Sequence, residues 1–248
     1  MQGLNLVIPE KADPERDGVA RAWADGGGAV TRLGRFWDPP PLDAASVRLY
    51  ANDTFALVLA QKLGLELVSP PDDLLMRLPA AWLRRQLRML PLQAADTLAY
   101  PAFVKSAVPK LFTAAVYADC GELLAQTRGL APETQMLVSE IVSFGCEARC
   151  FILRGTVRDV AAYEGEADLA GARELAAQVA ASGLLPETCV VDVGFIAGRG
   201  WAVVEANAAW GAGLNGCAAE KVLPCIAAAT RPLPADVAGA AGFQGNTD

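Results

Sequence analysis

Cys189-Val-Val-Asp192-Val-Gly-Phe-Ile-Ala-Gly-Arg-Gly-Trp201-Ala-Val-Val-Glu205-Ala-Asn207 is two apolar runs around a glycine-rich centre, the pattern of a β-hairpin. With Ala197–Gly200 as a four-residue loop, Ile196 pairs with Trp201 and Asp192 falls opposite Glu205, because register fixes the rest. Asn207, two residues on, shares the Glu205 face. Two carboxylates opposed on otherwise apolar strands repel, so something must compensate. Oxygen donors of this kind suit Mg²⁺, which takes one or two carboxylates plus phosphate oxygens. The alternative is that one acid faces solvent or pairs with an arginine.

Upstream, Cys146-Glu147-Ala-Arg149-Cys-Phe-Ile-Leu-Arg154-Gly155-Thr-Val-Arg158 reads as a second hairpin. Arg154-Gly155 as a two-residue loop pairs Leu153 with Thr156. Glu147, Arg149, Phe151 and Arg158 then share one face, and Cys146, Cys150 and Ile152 point to the other, apolar one. Guanidinium groups on such a face can fork an anion; a cross-strand ion pair on an exposed face is the alternative. Further upstream, Phe103-Val-Lys105-Ser-Ala-Val-Pro-Lys110 places two ammonium groups on a short connection, a weak signal by itself. Neither G-x-x-x-x-G-K nor G-x-G-x-x-G occurs.

The 248-residue chain has no histidine, 21 Lys+Arg against 28 Asp+Glu, and a net charge of -7. Without imidazole there is no Ser-His-Asp or Cys-His nucleophile, no histidine base and no imidazole-bound zinc. The acidic balance argues against broad nucleic-acid binding. No apolar run reaches the ~20 residues of a membrane span, and the start at Leu4–Ile8 reads as a strand. The 6 cysteines form no C-x-x-C and read as reduced core residues of a cytoplasmic protein.

Strands are expected at 4–8, 47–50, 65–68, 100–105, 113–117, 135–142, 146–153, 156–163, 188–196 and 201–207. Helices are expected at 14–25, 53–63, 72–90, 119–127, 168–182 and 217–229, with Asn52 as a cap and Gly64 as a stop. Arg84, Arg85 and Arg88 fall on the third of these and read as a solvated face. Mixed strands and helices with tight hairpins indicate an α+β fold. Its expected parts are a small α/β domain at 1–70, a main domain at 71–232 and a tail at 233–248.

In this order, Tyr100-Pro-Ala-Phe-Val-Lys105, Ser139-Glu140-Ile-Val, Glu147-Ala-Arg149-Cys-Phe, Val191-Asp192-Val-Gly and Val204-Glu205-Ala-Asn207-Ala-Ala-Trp210-Gly-Ala-Gly resemble the ATP-grasp superfamily. They look most like its short bacterial and phage clade, over about residues 45–229. The resemblance implies two α+β subdomains holding ATP between them. Lys105 would contact the α/β phosphates and Lys110 the γ end. Glu140, Ile141 and Val142 would be the hinge at the adenine edge, with Glu147 at the ribose and Arg149 at the phosphates and acyl substrate. Asp192, Glu205 and Asn207 would hold Mg²⁺.

The chemistry so implied is carboxylate activation: the γ-phosphoryl passes to a carboxylate, and an amine displaces phosphate to form an amide. Lys110 and Arg149 would be its catalytic cations. Positioning and charge neutralisation suffice for this, with no protein nucleophile. The implied partners are small-molecule or peptide carboxylates and amines, and a homodimer is the default assembly. The alternatives are a non-catalytic ATP/Mg-binding regulatory or assembly module and a kinase-like enzyme without amide formation. Two features depart from the family pattern. Ser106–Pro109 lacks phosphate-loop glycines, and alanine follows Cys217 where relatives tend to carry an acid. Trp210, Gly211 and Gly213 are candidates for the acyl pocket, with a core Trp as the alternative for the first. Phe36, Trp37 and Tyr50 are candidates for closing that pocket, though core packing is the favoured expectation for them.

Overall fold

Residues 1–234 are described by a computed structural model. Leu6, Val7 and Ile8 of β1 (Asn5–Pro9) are all fully buried, and a strand buried on both faces belongs inside a parallel sheet. α1 (Pro14–Asp25) starts as expected, with Asp13 accepting the Arg16 N–H at 2.9 Å and proline in its first turn. β2 (Ala29–Leu33) and β3 (Val47–Leu49) flank β1 in parallel order β2-β1-β3. β2 has no counterpart among the expected strands: Thr31 and Arg32 interrupt it and only Leu33 is buried. α2 (Asp53–Leu63) has the expected cap, Asn52 accepting the Phe55 N–H at 3.1 Å. Gly64, at φ 64°, ends it before β4 (Leu65–Leu67).

The single helix expected at 72–90 is absent. α3 (Leu74–Arg77) stops at Leu78, whose ψ of 146° is what a following proline favours. α4 (Ala80–Leu83) stops at Arg84 in the left-handed region, φ 49°. Leu87-Arg-Met-Leu-Pro91 is a strand, β5, with alternating contacts. Arginine side chains expected on a solvated helix face are thereby re-aimed.

After a 3₁₀ turn at Leu92–Thr97 come β6 (Ala102–Ser106), β7 (Ala115–Tyr117), α5 (Cys120–Gln126) and β8 (Gln135–Ser139). With β5 they form a sheet of order β5-β8-β6-β7. β9 (Phe144–Leu153), β10 (Thr156–Gly165), α6 (Ala170–Ala181), β11 (Thr188–Ile196) and β12 (Gly200–Asn207) follow, the strands ordered β10-β9-β11-β12. Arg154 and Gly155 turn the first hairpin at φ 48° and 73°, both left-handed as a two-residue turn requires, and Leu153 pairs with Thr156. α7 (Ala219–Ala228) leads into β13 (Thr230–Pro232), which closes back on β4.

The larger sheet separates two cores. Cys146, Cys150, Ile152, Val191 and Val203 face α6, while Phe151 and Val190 join the core of β1, α1, α2 and α7. All six cysteines are free, five of them buried. Among the described residues no helix is long and apolar enough to cross a membrane. Leu233 donates its N–H to the Gly64 carbonyl at 2.8 Å; the expected tail, from residue 235, lies outside the described residues.

Arg158 does not take its expected place. β10 carries a bulge there, so Asp159 stands opposite Phe151 and Arg158 is exposed. Asp159 accepts the Ala218 N–H at 2.8 Å and pairs with Lys221 at 3.0 Å. It supplies from another strand the cap that α7 lacks locally. Burial pushes its carboxyl up, but these donors hold it below the ordinary 3.8. A lowered carboxyl stabilises above the unfolded value and loses that contribution as pH falls. Asp159→Asn should therefore lower the melting temperature at neutral pH and much less below 3.8; an equal loss at both would contradict the assignment.

Candidate functional site

The second hairpin reaches the expected juxtaposition by an unexpected route. Ile196 pairs with Gly200, not Trp201, so the loop is one residue shorter. A regular ladder would then set Asp192 against Val204. The register shifts between Asp192 and Val193, Val204 becomes the extra residue, and Asp192 stands opposite Glu205. On the other side of β11, Asp192 pairs with Arg149 of β9. Arg149, Asp192 and Glu205 thus lie in one row across three strands.

Arg149 forks Asp192, Nε to Oδ1 at 2.9 Å and Nη2 to Oδ2 at 2.7 Å, and its Nη1 donates to the Gly213 carbonyl at 2.8 Å. Asn207 Nδ2 donates to Asp192 Oδ2 at 3.3 Å and Glu205 Oε1 at 3.0 Å. Lys105, from the other sheet, pairs with Glu205 Oε2 at 3.0 Å. The row therefore links both sheets. Asp192 is 1% exposed and Arg149 9%. Burial pushes the Asp192 carboxyl up while the Arg149 fork pulls it down; Arg149 rises despite its own burial because Asp192 accepts from it. Burial also works against the Glu205 carboxylate, but Lys105 brings it net below its ordinary value. The compensation expected for the opposed acids is thus an arginine for one and a lysine for the other. Among the described residues no group of three or more His, Cys, Asp or Glu is placed to hold a metal.

Lys105, Arg149, Glu205 and Asn207 line a cleft of about 630 Å³, with Lys110 at its far wall. Lys110 pairs with Asp53, at the first turn of α2, at 2.6 Å. Trp210 lines the cleft although only 7% exposed, and its Nε1 donates to Ser69 Oγ at 3.1 Å; Gly211 and Gly213 line it too. Phe36, Trp37 and Tyr50 do not. Tyr50 is buried, and Phe36 stacks on Phe55 with centroids 5.1 Å apart. Glu140, Ile141 and Val142 lie outside this cleft, past the end of β8: Glu140 pairs with Arg199 at 2.7 Å and Ile141 is 48% exposed. Glu147 accepts from the Tyr163 hydroxyl, whose ring lies 5.7 Å from the Arg149 guanidinium carbon. Burial pushes the Glu147 carboxyl up.

Sequence reasoning missed Glu15. From the first turn of α1 it accepts the Leu214 and Asn215 N–H groups at 2.9 and 2.8 Å, fixing the loop whose Gly213 carbonyl holds Arg149. A Cβ on Gly213 would meet Glu15 Oε2 at 2.6 Å. With Glu15 and Leu214 199 residues apart, no local signal could have found this contact. Gly213→Ala should force Glu15 off at least one amide and cost about 1–3 kcal/mol, read by urea denaturation; a neutral result would show that the loop does not need the clasp.

Two α+β layers closing on a row of basic and acidic side chains are the ATP-grasp fold. A family model for an ATP-grasp domain, the second family of its clade, matches residues 82–225, more than half the chain, and the chain belongs to that family. Among solved structures it is similar to a RimK domain ATP-grasp protein from Sphaerobacter thermophilus (18% identity, TM-score 0.57, 91% of this chain and 96% of that one). It is also similar to N5-carboxyaminoimidazole synthase from Aspergillus clavatus in complex with ADP and 5-aminoimidazole ribonucleotide (11%, 0.57, 94% and 78%). A third similar structure is D-alanine–D-alanine ligase from Bacillus anthracis (13%, 0.50, 91% and 97%). At these identities the likeness is one of fold. No curated protein matches.

Proposed function

We propose that the protein is an ATP-dependent carboxylate–amine ligase, forming an amide or peptide bond through an acylphosphate on a small amino acid, peptide or protein terminus. The observation that carries this reading is the hydrogen-bonded row from Lys105 through Glu205, Asn207 and Asp192 to Arg149, along one cleft between the two sheets. Two of its members are cations that can face transferring phosphoryl oxygens, and none is a nucleophile. Similar folds that carry the names ligase and synthase, one of them holding ADP, support it.

In the reaction, a substrate carboxylate oxygen attacks the γ-phosphorus of ATP. The bond to the ADP oxygen breaks and an acylphosphate forms. The amine then attacks the acyl carbon, phosphate leaves with the C–O electron pair, and the amine loses its proton. Lys105 would orient the phosphates and Arg149 would face the charge developing on the transferred group. Lys110 would leave Asp53 for the γ end, a half-exposed pair of the kind that costs little to break. Glu140–Val142 would contact adenine and Glu147 the ribose.

The donor set fits a hard divalent cation in kind: two carboxylates and an amide on one face. Glu205 and Asn207 would hold Mg²⁺ most directly, since Asn207 spends its Nδ2 on the acids and keeps its carbonyl oxygen. Asp192 could join only by sharing an oxygen that already accepts from Arg149. Bound there, the ion would neutralise phosphate charge.

The test is a phosphate-release screen against amino acids and short peptides, with hydroxylamine trapping the acylphosphate. Absence of any rise in melting temperature with ATP and Mg²⁺ would sink the reading, since ligand that binds the folded state must stabilise it.

A further inference from the structure

Carbonyls of successive residues in a regular strand point to opposite sides, one to each neighbouring strand. β12 is an edge strand, so every second carbonyl faces open space. Trp201 and Val203, two apart, are such a pair: Arg84 Nε donates to the first at 2.9 Å and Arg85 Nη1 to the second at 2.6 Å. The Val204 carbonyl should then face back toward β11. Instead it accepts from Nη2 of the same Arg85 guanidinium at 3.0 Å. One planar fork can take two consecutive carbonyls only where the strand is not regular, and Val204 is the bulge residue.

That bulge decides which way Glu205 points. Without it, the three-residue loop would continue its register and set Glu205 opposite Val191, on the face packed against α6. We infer that Arg85 is a positioning residue that staples the Val204 bulge and thereby holds Glu205 on the cleft face beside Asp192. The staple is anchored at its other end: Arg85 Nε donates to Ser139 Oγ at 3.2 Å and Nη1 to the Leu83 carbonyl at 3.2 Å, and the Phe144 ring centroid lies 5.6 Å from its guanidinium carbon. It therefore ties the last residue of β8 to β12, one sheet to the other. Arg84 paves the same edge without touching the bulge, and Arg88 is exposed. The cluster that reads in sequence as a solvated face thus contains one member with a distinct task.

The functional consequence rests on the ligase reading of the cleft; the structural one does not. Deleting Val204 makes the strand regular and brings Glu205 opposite Asp192 with no bulge to hold. Arg85→Met should weaken Mg²⁺-dependent ATP binding about 10- to 100-fold, the range for residues that orient a metal's ligands. Deleting Val204 in the Arg85→Met background should restore it to within a few-fold of wild type. Amide hydrogen exchange at Glu205 and Ala206, read without nucleotide, should accelerate in Arg85→Met and slow again in the double variant. Should Arg85→Met fail to fold, a folded double variant supports the staple and an unfolded one overturns it. Normal exchange in Arg85→Met, or loss that deletion of Val204 does not repair, overturns it too. Glu205→Gln in an otherwise wild-type chain serves as the control. If it leaves ATP·Mg²⁺ binding and turnover untouched, the reading of the cleft fails, while the exchange data still decide the staple.

Discussion

Arg149→Met should cost the fold about 3–5 kcal/mol, the usual consequence of leaving a buried charge without its partner. Both oxygens of Asp192 accept from this one guanidinium, and the carboxylate is 1% exposed. Only Asn207, at 3.3 Å, remains to it. The loss is largely a desolvation penalty, so it should shrink when the acid goes as well: Arg149→Met with Asp192→Asn should recover most of it. Urea denaturation of the three variants measures this as a double-mutant cycle. A single substitution costing under about 1 kcal/mol would mean that water reaches Asp192. The same variant should also lose turnover, which ties the stability of the larger sheet to the proposed chemistry at one residue.

Glu205→Gln is the opposite case, large in activity and small in stability. Its ion pair with Lys105 is partly exposed on both sides, and such pairs contribute about 1 kcal/mol or less. Yet Glu205 is the carboxylate on the cleft face with most room for a cation. Losing several kcal/mol of charge stabilisation in the transition state corresponds to about 10²–10³-fold in kcat. Single-turnover phosphate release, with melting temperature as the folding control, separates the two. Retained kcat with weakened ATP binding would favour a nucleotide-binding module over a ligase.

The hairpin at 189–207 shows how far counting can go. Alternation sets the two strands, and arithmetic across the loop puts Asp192 opposite Glu205. The structure agrees, but through two deviations that cancel: a loop shorter by one residue and a bulge at Val204. In the other hairpin the same counting places Leu153 opposite Thr156 correctly and Arg158 wrongly, since there a bulge stands uncompensated. Counting assumes a regular ladder, and bulges are held by donors far away in sequence. Arg85 lies 119 residues from the carbonyl it takes at Val204.

The segment 72–90 departs from expectation for a local reason that is in plain view. Pro79 and the left-handed Arg84 break what apolar spacing alone joins into one helix. β2 escapes notice for another: a half-exposed strand of a parallel sheet need not carry an apolar run.

By itself the sequence determined the α+β class, the order of its chemistry-bearing phrases and the exclusion of imidazole chemistry, because composition and short-range periodicity are properties of the chain alone. Only the tertiary structure decided what compensates each acid: Arg149 for Asp192, Lys105 for Glu205. It alone brought Glu15 to the loop that holds Arg149 and Arg85 to the bulge that aims Glu205. Each of these pairs is joined across strands, sheets or domains, where the identity of a neighbour follows from packing and not from spacing.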